Sequence, residues 1–148
     1  MKGLFSGALV AVALTLAGCD RVDPDSPLGQ RKAIFQEMLE VKEDMGGMLR
    51  GRLAFSAEAF ASGAVRLDDV SRQPWQHYPE VREAQSDARD EVWQRQERFT
   101  ELARELEATT AALRELTQAQ RPAPRVVAPA FQRVEDSCER CHQEFRVY

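Results

Sequence analysis

From Glu83 to Gln120 the chain contains neither glycine nor proline, and Val92, Phe99, Leu102, Leu106, Leu113 and Leu116 recur along it at steps of three, four and seven. That spacing marks one apolar face of a long α-helix, which has to be buried against a partner. The rest of the chain offers further helices as partners. Ile34, Met38, Val41, Met45 and Met48 repeat the pattern from about Leu28, with Phe35 and Leu39 widening the face. Gly46, Gly47 and Gly51 should weaken or end this first helix, since each glycine costs about 1 kcal/mol against alanine in a helix interior. A second helix is expected from about Ser56 to Arg72. Pro74 and Pro79 bracket Trp75, His77 and Tyr78 in a segment that should be a loop. Pro122 and Pro124 break the long helix. A last helix begins near Val127, with Pro129 tolerated in its first turn and Phe131, Val134, Cys138, Cys141, His142 and Phe145 on one broad face. Four helices with no convincing strand predict an all-α bundle. The third helix could instead join a coiled coil, but its apolar spacing holds for only about three turns, short of the heptads such a structure needs.

The 148 residues fit one domain, and 43% hydrophobic with 30% charged residues places them among ordinary globular proteins. The formal net charge of −4 is spread over both signs with no basic stripe, so nucleic acid is excluded as a partner. Residues 1–18 form a separate unit: Lys2, then an apolar run from Leu4 to Leu16, then Leu16-Ala17-Gly18-Cys19. This reads as an export signal, because the run is shorter than the roughly 20 residues that cross a bilayer as a helix. Leu-Ala-Gly-Cys resembles the bacterial lipobox, which implies that Cys19 is joined to diacylglycerol and becomes a lipid anchor to the membrane. Residues 19–27 are polar and proline-interrupted, a flexible tether, and 28–148 are the folded domain. The expected location is the periplasm, anchored at the inner membrane, which Asp20 beside the lipidated cysteine favours.

Two cysteines remain. Cys138-Glu139-Arg140-Cys141-His142 matches the C-x-x-C-H signature of covalent haem attachment. On a helix, thiols three residues apart share a face and can each form a thioether to a haem vinyl group. The adjacent His142 then projects its ring towards the iron as axial metal ligand. A thioredoxin-like redox pair would need a strand leading into the motif, and none is expected here. A zinc site would need four ligands, and only Cys19 and His77 are left to complete one. One covalently attached haem c is the expected cofactor.

The motif is followed by Gln143-Glu144-Phe145-Arg146 in the last of four helices, and in this the chain is similar to the cytochromes c′. The resemblance implies an antiparallel up-down-up-down four-helix bundle whose C-terminal helix carries the haem. It extends loosely over residues 28–148. Arg31-Lys32 fits the family's basic opening with a changed second residue. Four positions beyond the arginine, where the family covers the open face of the iron, stands Phe35. Trp93 and Phe99 resemble the family's aromatic positions, Phe145 is the aromatic residue after the motif, and Arg146, one turn after His142, is placed beside the proximal face.

A phenyl ring over the iron offers no hydrogen-bond donor and no lone pair, so His142 would be the iron's one protein ligand. Dioxygen needs a donor to stay bound, whereas nitric oxide and carbon monoxide tolerate an apolar pocket. The expected function is therefore gas binding, with electron transport to redox partner proteins and a homodimer through the first two helices as further implications of the resemblance. In the alternative, Met38 or His77 fills the sixth position and the protein is a low-spin one-electron carrier. Otherwise Met38, Met45 and Met48 are a core stripe, His77 is a surface or packing residue, and Trp75 and Tyr78 anchor the loop. With no nucleophile-and-base set in view, no enzyme in the ordinary sense is expected.

Overall fold

The structure, a computed structural model, describes residues 22–148; the expected signal, Cys19 and the start of the tether lie outside the described residues. Helix α1 spans Pro27–Leu49. Its start is fixed by Ser26, whose Oγ accepts from the Gly29 backbone N–H at 3.0 Å, and by Pro27 in the first turn, where a missing N–H costs nothing. Gly46 and Gly47 do not end it. Met45, Gly46, Gly47 and Met48 are all buried, so the penalty of two glycines is outweighed by apolar burial on the same turn. The helix stops at Gly51, which takes φ +73°. Arg52 N donates to Gly47 O and Gly51 N to Met48 O, the paired bonds of a Schellman motif.

Helix α2 spans Ala57–Ser71 behind a Ser56 N-cap, and Pro74–His77 then form a single 3₁₀ turn inside the expected loop. The long helix is shorter than its sequence suggests. Residues 83–90 are not helical; a one-turn helix α3 covers Glu91–Gln94, and α4 runs from Gln96 to Ala119. Between Glu83 and Glu91 the side chains are polar except Ala84 and Ala88, so a helix there would have no apolar face to bury. The segment spends its backbone groups on tertiary pairing instead. Arg89 N donates to Phe145 O (2.9 Å) and Val147 N to Asp87 O (2.8 Å), around an isolated antiparallel bridge between Ala88 and Arg146. Helix α5 spans Pro124–Phe145 and so begins three residues before the expected start, which places Pro129 inside the helix. It is Pro124 that occupies the first turn.

Helices α1, α2, α4 and α5 pack in chain order, each on the next, and α1 touches α5, which closes a four-helix bundle. The main core joins Met38, Met45, Phe60, Leu67, Leu106, Leu113, Phe131 and Val134. Gly63 of α2 stands where a Cβ would lie 2.9 Å from Met45 Cγ, so its absence sets how close α1 and α2 come. On the α2–α4 side a buried carboxylate, Asp68, accepts from Arg72 (2.7 Å), Arg114 (3.1 Å) and the Thr110 hydroxyl (3.2 Å). A second, smaller cluster around Val92, Leu102 and Phe145 caps one end of the bundle. No described helix is long and apolar enough to cross a membrane.

Candidate functional site

Cys138, Cys141 and His142 occupy the last turns of α5, where the bundle core meets the smaller cluster. Cys138 packs on the main core and Cys141 on the second, with Tyr78, Trp93 and Phe99. Both thiols are free and only partly exposed. Burial pushes each up to about 11, which keeps both as neutral thiols in the folded chain. His142 is held below its ordinary value, first by burial and then by the positive charges of Arg146 and Lys42. Its ring is therefore kept neutral, with a nitrogen lone pair free to bind a metal.

Opposite this helix, α1 supplies Phe35 and Met38. Phe35 is part-buried against the same core on which Cys138 packs, and Met38 is a member of that core. Phe35 meets the Trp75 ring edge-on at 6.0 Å. From there a set of T-shaped contacts runs through Phe99, whose ring lies 5.8 Å from Trp75, 4.9 Å from Tyr78 and 5.3 Å from Phe145. Tyr78 in turn meets Trp93 at 6.2 Å. These rings bring α1, the 3₁₀ turn, α3, α4 and α5 around one place. A cavity of about 420 Å³, lined by Trp75, Tyr78, Trp93, Phe99, Thr100 and Arg104, borders them.

Arg31 is fully engaged with protein. Only 3% exposed, it donates to the carbonyl oxygen of His77, to both carboxylate oxygens of Glu83 (3.3 and 3.2 Å) and to Ser86 Oγ (3.1 Å), and it lies 4.2 Å from the Tyr78 ring centroid. Arg146 is exposed, with its guanidinium 5.6 Å from the Tyr148 ring. Trp93 donates its indole N–H to Pro79 O at 2.7 Å. The indole nitrogen of Trp75 is buried and bonds to no protein atom. The loop residues Trp75 and Tyr78 therefore belong to the wall of the site, and the paired prolines around them were the available sign of a fixed loop. The sequence carried no sign of the Glu144 carboxylate, which accepts from Arg98 (2.8 and 3.1 Å) and Arg95 (2.9 Å) and ties the end of α5 to α4.

The arrangement suits a large, mostly apolar group held by sulfur. Two neutral thiols lie one turn apart on α5 with a neutral imidazole next to the second, and Tyr78, Trp93 and Phe99 pack in the same cluster as Cys141. Haem fits this donor set.

A family model described as Cytochrome C′ matches residues 26–146. Among solved structures, cytochrome c prime from Shewanella frigidimarina superposes with a TM-score of 0.79 at 23% identity, covering 85% of this chain and 98% of that one. A nitric oxide complex of a mutant cytochrome c prime from Alcaligenes xylosoxidans gives 0.76 at 21%, over 87% of this chain and 99% of that one. A carbon monoxide-bound variant of the same protein gives 0.76 at 21%, over 85% and 98%. No curated protein matches the chain.

Proposed function

The chain is a member of the cytochrome c′ family, and on that premise we propose that it is a lipid-anchored periplasmic protein that binds nitric oxide and carbon monoxide at one open face of its haem. The cofactor is covalently attached haem c. Cys138 and Cys141 would hold it by thioether bonds, and His142 would ligate its iron. When bound, the haem would supply an iron that can take a diatomic ligand and exchange one electron. His142 contributes a neutral ring, which burial favours over the charged form.

Phe35 carries the reading. On α1 it packs, part-buried, against the same core on which Cys138 of α5 packs, and its ring offers no donor and no ligand atom. An apolar cover of this kind disfavours dioxygen relative to nitric oxide and carbon monoxide. The nitric oxide complex and the carbon monoxide-bound form among the structural neighbours support the same ligand class.

Absorption and electron paramagnetic resonance spectra test the proposal. A largely high-spin protein in both oxidation states, binding nitric oxide and carbon monoxide when ferrous, supports it; a low-spin wild type overturns it. A second reading has its own observation, that Met38 is buried in the core against which Cys138 packs. In that reading the protein is a one-electron carrier, and Met38→Ala converts a low-spin spectrum to a high-spin one. The anchor is tested separately: Cys19→Ser should release the protein from the membrane fraction, and an unaltered distribution sinks lipidation at that residue.

A further inference from the structure

The two tryptophans of this chain line the same cavity, Trp75 against Phe99 and Trp93 against Tyr78, and are treated differently. Trp93 has its acceptor in Pro79 O. Trp75 Nε1 is the one buried side-chain nitrogen or oxygen among the described residues that lacks a partner. A buried donor left unpaired costs the desolvation of its N–H with no return, so such a group in a well-packed region points to an acceptor outside the polypeptide. The Trp75 ring lies between Phe35, the cover from α1, and Phe99, which packs in the cluster holding Cys141, and it lines the 420 Å³ cavity.

Resting on the haem-binding reading above, we propose that the Trp75 indole N–H donates a hydrogen bond to one of the haem's two propionate carboxylates. The rest of the haem edge is hydrocarbon, so the carboxylates are its strong acceptors, and a charged acceptor shortens and strengthens the bond. Arg31, its charge paired with Glu83, donates to the backbone carbonyl of His77, two residues along the same 3₁₀ turn, and so ties the turn that carries Trp75 to α1. The bond would also fix the haem's rotation about the two thioethers, which by themselves anchor only one edge.

The test compares the haem-loaded wild type with Trp75→Phe, which keeps the ring contacts and removes the donor. Haem remaining covalently attached in both establishes that the underlying reading stands. Visible resonance Raman spectra should then show the propionate bending band shifted in Trp75→Phe, and ultraviolet Raman difference spectra should assign Trp75 a hydrogen-bonded indole. A free indole overturns the proposal. So does a bonded indole with an unmoved propionate band, which would assign the acceptor to water. Wild-type protein lacking covalent haem removes the reading on which the proposal rests and the proposal with it. Should Trp75→Phe fail to fold, Trp93→Phe leaves Trp75 as the chain's one indole. There, a bonded band accompanied by a propionate shift on N–H to N–D exchange supports the proposal, and a free band, or no such shift, overturns it.

Discussion

A phenyl ring can fill space over a metal but cannot hold anything there, so on the proposed reading Phe35 is a barrier with no binding role of its own. Phe35→Ala should speed carbon monoxide association, read by flash photolysis, and leave the thioethers untouched; an unchanged rate would place the barrier elsewhere. Tyr78 gives the clearest titration. Burial, partly offset by the Arg31 charge, lifts its hydroxyl from 10.0 to about 12. An unfolded chain loses that proton near pH 10 while the folded one keeps it. The stability this neutral tyrosine contributes is thus whole below pH 10 and is lost as pH rises from 10 to 12. Denaturant midpoints followed across that window should fall in the wild type and fall less in Tyr78→Phe, which keeps the ring stack. The residues of the C-x-x-C-H motif were legible because their chemistry is contiguous, three positions and then one. The surroundings of Arg31 were not. Its partners His77, Glu83 and Ser86 lie 46 to 55 residues away, and nothing in a local pattern announces them.

At the scale of elements the helices follow their caps and faces. Ser56→Ala removes the acceptor for Ala59 N and should cost about 1 kcal/mol, measured by chemical denaturation. Phe60, wholly buried where α2 meets Phe55 and Phe131, should cost roughly 3–5 kcal/mol when cut to alanine. Where the sequence misleads, the reason is tertiary. Absence of glycine and proline permits a helix over 83–90 but does not require one, and the pairing that replaces it involves residues near 146. Conversely, Gly46 and Gly47 look like breakers and are overridden because their turn is buried. The start of α5 was misplaced by three residues because three prolines lie within eight positions, and spacing alone does not say which occupies the first turn.

For the molecule as a whole, the four-helix architecture was available from apolar periodicity and the expected haem attachment from the C-x-x-C-H motif, whereas the up-down order came from resemblance to a family to which the chain does belong. The segment 79–90 then decides how the parts act together. Arg31 grips it from α1 through Glu83 and Ser86, and it grips the end of α5 through Arg89 and Val147. Arg31→Met should leave Glu83 without its cation and raise hydrogen exchange at the Arg89 and Val147 amides, although neither touches residue 31. Unchanged protection at both would show that the two grips are independent. Together with the bundle core, these bonds form a closed linkage from the helix bearing Phe35, across the segment, to the helix bearing His142, and back. On the proposed placement of the haem between these two helices, a push on either face would meet the stiffness of the whole ring, and the two faces would share one set of mechanical constraints.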